Sequence, residues 1–329
     1  YGRVVFRDGS SREVVDGVPG RWSLAQYRAE LPPIAAPSVA GDEALVARDW
    51  PSIPPSGAVI DTCVVLSPEA AADWGGPSLI PGHLAIVEDF SNETLHRSVS
   101  PLASIHVLYW EIDPVSEGGR DFSMLWSQWG ADYYSKFVPR LKPMGCDQIT
   151  HIVRPQGCGI GYFFNPVNVT FANTQVAAVC AEANMTYLHE IGHNLGAGHN
   201  IGDSVSAGSL STVCDPTRTP GAPYGVGWQD PNGRFRTVMS YGSAPGQSNS
   251  HSPPPVVWYG DGTTLVGNAN NGTPTDEAAC FRQTFAYLAA LNAPPSTVTA
   301  PRLVLSDLGP IAQLRAKMDE IARSPAKKN

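Results

Sequence analysis

The run at residues 189–199, with the letters HEIGHNLGAGH, constrains this chain of 329 residues more than any other feature. On an α-helix, residues four positions apart lie on one face, so His189 and His193 can both point at one metal ion. Glu190 lies beside them. Three apolar side chains would lie on the opposite side of the helix: Leu188, Ile191 and Leu195. The run therefore predicts an amphipathic helix with one buried face and one face that carries chemistry.

A third ligand is needed, because a catalytic zinc site typically has three protein ligands and a fourth position for water. His199 can supply it, but this residue lies too far along the chain to continue the face of the first two histidines. The helix must therefore end and the chain must turn back. Gly196 and Gly198 can adopt the positive φ that ends a helix sharply. We expect a helix over residues 185–196 with Asn184 as its N-cap.

The length of the pattern makes a chance match to a metal-binding motif improbable. HExxH alone occurs by chance in unrelated helices, where two histidines and a glutamate form only a solvated face. With Gly196 and His199 included, the chance frequency falls to the order of one in a hundred thousand for a chain of this size. The sequence therefore predicts one catalytic Zn²⁺ held by His189, His193 and His199. The other five histidines have no ligand-like spacing and are expected on the surface or satisfied in the core: His83, His96, His106, His151 and His251.

The pattern HExxHxxGxxH resembles the zinc-binding motif of the metzincin metallopeptidases, which also have a methionine-containing turn beneath the metal. Residues 237–242 (TVMSYG) match that Met-turn. Within the metzincins, residues 233–241, 61–70 and 157–162 are similar to reprolysin-like and peptidyl-Asp metallopeptidases, so the resemblance spans about 58–291. One difference is Asn200, which follows the third histidine where those peptidases usually carry aspartate.

The resemblance implies an α+β fold of the zincin type. Its parts would be a mixed, twisted sheet with an active-site helix and a backing helix, followed by an irregular C-terminal subdomain. Residues 158–163 would form the strand at the sheet edge that lines the cleft, where an extended peptide can pair with it. The glycines of that strand would let the substrate backbone come close. Met239 would lie under the zinc as an apolar floor and would not be a ligand.

The implied activity is that of a zinc metalloendopeptidase (EC 3.4.24 type) acting on proteins or peptides. Glu190 would be the general base that takes a proton from the attacking water and delivers it to the departing amine. Tyr241 resembles the Met-x-Tyr arrangement of astacins and serralysins, which places a phenol near the metal. A tyrosine that is simply packed in the Met-turn explains this residue equally well.

Two other functions are compatible with a zinc site. One is a catalytically silent, zinc-stabilised binding or adhesion module, against which the intact Glu190 argues because a structural zinc needs no base. The other is a zinc hydrolase of cell-wall peptides. Calcium is a further candidate ligand, for a set of oxygen-bearing side chains late in the chain. A polar turn is the favoured explanation of that set: Asp261, Asn268, Asn270, Asn271 and Asp276.

Charge and cysteine content restrict the partners and the compartment. The net charge is −8, with lysines and arginines scattered, so no basic stripe indicates a nucleic-acid partner. No apolar run approaches the roughly 18 residues of a membrane-spanning helix, and the start of the chain fits a processed, secreted protein. Six cysteines without C-x-x-C spacing favour up to three disulfides and an oxidising compartment, although six reduced core thiols are the alternative. The 15 ways of pairing them stay open.

Composition and periodicity divide the chain into three parts. Residues 1–57 would be an N-terminal arm or prosegment remnant with a Pro-rich linker, 58–295 the catalytic domain, and 296–329 a helical tail. Within the catalytic domain we expect five strands, at residues 58–66, 105–112, 149–153, 158–163 and 176–180. We expect helices at residues 82–99, 122–138 and 276–291 in addition to the histidine helix.

Overall fold

A computed structural model describes ten segments of the chain: residues 2–5, 11–14, 52–155, 157–165, 172–182, 185–200, 212–216, 222–228, 236–240 and 275–292. Two short antiparallel strands, β1 (Gly2–Val5) and β2 (Ser11–Val14), pair with each other near the N-terminus. The proposed N-terminal arm and C-terminal tail lie largely outside these segments, and their boundaries stay predictions.

The main sheet has five strands in the order β4-β3-β5-β7-β6. Its strands are β3 (Ala58–Leu66), β4 (Ala103–Ile112), β5 (Gln148–Val153), β6 (Gly159–Gly161) and β7 (Asn173–Ala177). The first four in that order run parallel, while β6 runs antiparallel to β7 and forms one edge of the sheet. The sheet is therefore mixed, as the α+β prediction requires, and the strand predicted to line the cleft lies at an edge.

Helices pack against both faces of this sheet. The α-helices are α1 (Pro68–Asp73), α2 (Ile80–Ser98), α3 (Phe122–Asp132), α4 (Val138–Leu141), α5 (Ala178–Ala181), α6 (Thr186–Asn194) and α7 (Glu277–Leu288). Shorter turns are a π-helix at Tyr133–Phe137 and 3₁₀-helices at Lys142–Met144 and Thr212–Cys214. Among the described helices, none is long and apolar enough to cross a bilayer.

The alternation of side chains along β3 explains why both faces of the sheet are covered. Ile60, Val64 and Leu66 face a core that also contains apolar residues of α2, α6 and α7. Cys63 and Val65 face a second core formed with the aromatic side chains of α3 and the π-helix. A strand buried on both sides reads as a continuous apolar run, which is why residues 58–66 were predictable from the sequence.

Two element predictions are wrong in part. The helix expected over residues 122–138 is interrupted, because Pro139 has no N–H to donate to Ser135 four residues earlier. The Val138 N–H donates to the carbonyl of Tyr133, five residues earlier, and a hydrogen bond of this span defines the π-helix. The strand expected over 176–180 lies earlier, at β7, and the chain turns into α5 after Ala177.

The six cysteines form three disulfides: Cys63–Cys146, Cys158–Cys180 and Cys214–Cys280. The first joins β3 to the segment just before β5. The second joins the start of the edge strand β6 to α5. The third joins the 3₁₀-turn after the histidine run to α7. The alternative of six reduced thiols is therefore wrong.

Adjacent residues of β3 provide a test of this packing. Ile60 is fully buried and Val59 is 44% exposed. We expect Ile60→Ala to lower the free energy of unfolding by about 2–5 kcal/mol, because it removes buried methyl groups and leaves a cavity. Val59→Ala should cost less than about 1 kcal/mol. Urea unfolding of both variants measures the difference, and equal losses would contradict the burial of Ile60 and the exposure of Val59.

Candidate metal centre

Helix α6 carries the first two histidines, and it differs from its prediction at both ends. It runs from Thr186 to Asn194, and its N-cap is Met185, whose φ of 57° is left-handed. The expected N-cap, Asn184, lies outside the described residues and does not occupy that position. Every residue of the helix is buried. The face that carries the histidines is therefore enclosed by other parts of the chain.

The end of α6 explains how the third histidine reaches the first two. Gly196 has a φ of 102°, its N–H donates to the His193 carbonyl, and the Ala197 N–H donates to the Gly192 carbonyl. This pair of bonds is a Schellman turn, which reverses the chain direction at a glycine. Gly198 was expected to share this conformation, but its φ is not positive. One glycine is enough to turn the chain.

The three histidine side chains converge on one point. The Nε2 atom of His199 lies 3.1 Å from Nε2 of His189 and 3.1 Å from Nε2 of His193. All three are buried. Ligand nitrogens in a tetrahedral site with metal–nitrogen bonds of about 2.0–2.1 Å lie about 3.3 Å apart. The donor set and its spacing therefore fit a metal ion. Among the described residues, these histidines are the one group of three or more His, Cys, Asp or Glu side chains close enough to hold one.

Backbone carbonyls orient two of the rings. The Nδ1 atom of His189 lies 2.7 Å from the carbonyl oxygen of Val238, and Nδ1 of His193 lies 2.7 Å from that of Ala197. A carbonyl can only accept, so Nδ1 donates in both rings and Nε2 keeps its lone pair for a metal. Burial lowers the pKa of both imidazoles well below the ordinary histidine value, and the neighbouring His199 lowers both further. Both rings are thus neutral at neutral pH, which is the form in which an imidazole can bind a metal.

The Met-turn lies against α6 through a close contact at a glycine. Met239 is fully buried, and a Cβ added to Gly192 would collide with its sulfur atom. On the other side, a Cβ on Gly227 would lie 2.6 Å from the carbonyl carbon of Met239. The turn itself is closed by the Ser240 N–H, which donates to the Thr237 carbonyl. These contacts place the methionine beside the histidine helix and present the Val238 carbonyl to His189.

A disulfide-linked loop holds the segment that carries His199. The Gly198 N–H donates to the Gly225 carbonyl, and the Gly227 N–H donates back to the Gly198 carbonyl. The Gly225 N–H in turn donates to the carbonyl of Cys214, which is bonded to Cys280 on α7. The position of the third histidine therefore depends on a chain of contacts that ends in a covalent link.

Glu190 lies against the edge strand, and this contact corrects one expectation. Its side chain is 2% exposed, and a Cβ on Gly159 would collide with its carboxylate. A Cβ on Gly161 would lie 2.9 Å from its backbone oxygen. The room left by these glycines is thus occupied by the histidine helix, whereas the sequence predicted that a substrate backbone would use it.

Several predicted residues lie outside the described part of the chain or have other partners. Tyr241 and His251 lie outside the described residues, as do four of the five candidate calcium ligands. The fifth, Asp276, accepts the N–H of Ala279 as the N-cap of α7, and nothing in the described residues supports calcium. The remaining histidines have other partners, as predicted: His83 contacts Glu182, His96 contacts Ser104, His106 contacts Asp61 and His151 contacts Gln175.

Sequence reasoning missed the groups that orient the rings and end the helix. The Val238 and Ala197 carbonyls carry no sequence signal, because every residue has one. Asn194 donates to the Tyr162 carbonyl at 2.7 Å and so ties α6 to the chain just after β6. The Thr284 hydroxyl donates to the Leu195 carbonyl at the end of α6. A polar residue at a fixed offset from the histidines, such as Asn194, is the one signal that could have been used.

Comparison with known proteins agrees with this geometry. Residues 150–272 match the model of a family described as Metallo-peptidase family M12B Reprolysin-like. The matched segment contains the three histidines, Glu190 and the Met-turn. The match confirms the resemblance to the reprolysin-like metzincins over these residues and supports a metal-dependent peptidase in general.

Two solved structures are similar to the chain at low sequence identity. One is described as "Structure of a chaperone-substrate complex" (16% identity, 72% of this chain and 35% of that chain covered, TM-score 0.49). The other is the crystal structure of metalloproteinase-II from Bacteroides fragilis (15% identity, 46% of each chain covered, TM-score 0.33). The chain thus spans about a third and about a half of the chains it matches. No curated protein matches its sequence.

The support of His199 by the third disulfide can be tested against the first. Cys214–Cys280 and Cys63–Cys146 close loops of comparable sequence separation, 66 and 83 residues, so their general effects on stability should be similar. We expect replacement of Cys214 and Cys280 by serine to weaken zinc affinity by roughly 10-fold to 100-fold, as is typical when support for a ligand is lost. The same change at Cys63 and Cys146 should leave zinc affinity nearly unchanged.

Competition with a chromophoric chelator measures zinc affinity, at a temperature where circular dichroism shows both variants to be folded. Equal affinity in the two variants would show that the third disulfide does not hold His199.

Proposed function

We propose that this chain is a secreted zinc endopeptidase that hydrolyses peptide bonds with His189, His193 and His199 as zinc ligands and Glu190 as general base. The observation that carries the proposal is the convergence of three buried imidazoles with a carboxylate on the same helix, beside an edge strand. Three imidazole ligands are the donor set of open, catalytic zinc sites. The match of this segment to a reprolysin-like metallopeptidase family supports the same chemistry.

The protein's own residues provide positioning and proton transfer. Zinc, when bound, supplies Lewis acidity and lowers the pKa of a coordinated water. Glu190 would take a proton from the attacking water, whose oxygen forms the new bond to the carbonyl carbon of the substrate. The same carboxyl group would then deliver that proton to the amine nitrogen as the carbon–nitrogen bond breaks. The burial of Glu190 excludes bulk water that would compete for this proton.

The edge strand suggests how a peptide would bind. Among the described strands, β6 pairs with β7 on one side and has no strand on the other. An extended peptide can add there as a further strand, with main-chain hydrogen bonds that do not depend on substrate sequence. Glu190 packs against β6, so a peptide paired with this strand would pass close to the proposed base.

The disulfides support the proposed compartment. Three disulfides persist in oxidising surroundings and are rare in reducing ones. Secretion would also give the enzyme access to protein substrates outside the cell.

Replacement of Glu190 tests the proposed base. We expect Glu190→Gln to lower kcat by about 10²-fold to 10⁴-fold, because proton transfer is lost while shape is kept. Zinc content should stay at one ion per chain, because the three imidazoles are unchanged. Glu182→Gln is the matched control, since Glu182 contacts His83 outside the metal centre and should keep normal turnover.

Cleavage of casein and of a quenched peptide, with and without a zinc chelator, measures both effects. Proteolysis that survives the chelator, or that is unchanged in Glu190→Gln, would contradict the proposal. Cleavage of cell-wall peptides but of neither protein substrate would point to the alternative hydrolase.

Tyr241 provides a separate test of oxyanion stabilisation. If its phenol donates to the developing oxyanion, Tyr241→Phe should lower kcat by about 10²-fold to 10³-fold with little change in KM. Tyr109→Phe serves as the control, because Tyr109 bonds to Glu111 on the opposite edge strand. Unchanged kcat in Tyr241→Phe would remove Tyr241 from the catalytic residues and leave it as a packing residue of the Met-turn.

A further inference from the structure

The edge strand β6 presents glycines, and no other residue type, to the histidine helix. Gly159 and Gly161 face α6, whereas Ile160 between them points into the core on the other side of the sheet. A Cβ on Gly159 would collide with the Glu190 carboxylate and would lie 2.5 Å from the Thr186 Cγ2 atom. A Cβ on Gly161 would lie 2.9 Å from the Glu190 backbone oxygen and 3.2 Å from its Oε2 atom.

Backbone conformation does not explain these two glycines. Neither Gly159 nor Gly161 has a φ in the left-handed region that favours glycine, in contrast to Gly157 just before them. Any residue can adopt the extended backbone that they have in β6. The remaining reason for glycine in a strand is the close approach of another part of the chain, and here that part is Glu190.

We propose that Gly159 and Gly161 are positioning residues for the reaction, because their missing side chains let the Glu190 carboxylate lie under the strand that binds substrate. This inference rests on the proposed function. The close packing fixes the distance between the base and a peptide paired along β6. Proton transfer needs heavy atoms within about 3 Å of each other, so a small displacement of the carboxylate reduces catalysis.

The two glycines act on different parts of Glu190. Gly159 contacts side-chain atoms of α6, the Glu190 carboxylate and the Thr186 Cγ2 atom, and no backbone atom of the helix is among its three nearest neighbours. Gly161 contacts the helix backbone, so a side chain there would push α6 and with it both His189 and His193. A substitution at 159 should therefore affect the base and leave the metal ligands in place, whereas one at 161 should affect both.

The experiment compares Gly→Ala substitutions at matched positions. We expect Gly159→Ala to lower kcat by about 10-fold to 100-fold with KM changed by less than about 3-fold, because the base is displaced and the substrate strand is kept. Zinc affinity should equal that of the wild type. Gly82→Ala and Gly130→Ala are the controls, since a Cβ at either position meets no atom within 4 Å. Both should keep normal kcat.

A combination with Glu190→Asp shows whether the effect passes through the carboxylate. Aspartate is one methylene shorter and Thr186→Ser removes the Cγ2 atom, so the two changes together leave room for a Cβ at position 159. With both changes present, Gly159→Ala should therefore change kcat by less than about 3-fold, although the same substitution should cost at least about 10-fold in the wild type and in Thr186→Ser alone.

Three outcomes would overturn the inference. The first is normal kcat in folded Gly159→Ala. The second is an equal loss of kcat on adding Gly159→Ala to Thr186→Ser and to Thr186→Ser combined with Glu190→Asp. The third applies if Gly159→Ala does not fold, in which case Glu190→Asp combined with Thr186→Ser should restore folding and a failure to do so counts against the proposed contact.

These outcomes are distinct from a failure of the proposed function. Full activity in Glu190→Gln would overturn the endopeptidase mechanism itself. Loss of activity in Glu190→Gln together with full activity in folded Gly159→Ala would overturn only the role of the glycines.

Discussion

The structure around the site depends on three buried imidazole rings whose Nε2 atoms lie close together. In His189 and His193 the Nδ1 proton is committed to a backbone carbonyl, so each Nε2 atom can act only as an acceptor. Burial lowers the pKa of both rings, which opposes their protonation. A cation is the simplest group that satisfies lone pairs directed at one point. Its binding would therefore also stabilise the fold around it.

The parts that hold these rings come from distant regions of the chain. Helix α6 spaces the first two histidines, and the Schellman turn at Gly196 brings back the third. The Met-turn supplies a carbonyl to one ring, and the turn after α6 supplies a carbonyl to another. Disulfide Cys214–Cys280 then fixes the loop that pairs with Gly198. Local sequence determines the spacing, while long-range contacts determine the orientation of each ring.

The difference between local spacing and long-range contacts explains which features could be predicted from the sequence. The convergence of the three histidines was predictable from helical periodicity and from a glycine that ends the helix. Strand β3 was predictable from its run of apolar residues. The N-cap prediction is wrong because the chain enters α6 through Met185 in a left-handed backbone conformation, which methionine rarely adopts. The strand prediction for residues 176–180 is wrong because a short apolar run is compatible with a strand and with a buried helix alike. The role of Gly159 and the pairing of the cysteines needed the tertiary structure, since both are contacts between segments far apart in sequence.

The brevity of β6 has a consequence for pairing along this edge of the sheet. An open sheet edge is a template on which other chains, including further copies of the same protein, can aggregate. With only three residues, Gly159–Gly161, β6 offers few main-chain groups for pairing. Very short edge strands are one way in which proteins avoid such polymers. Of the two edge strands of the described sheet, β6 is thus a weaker template for aggregation than β4, which has ten residues.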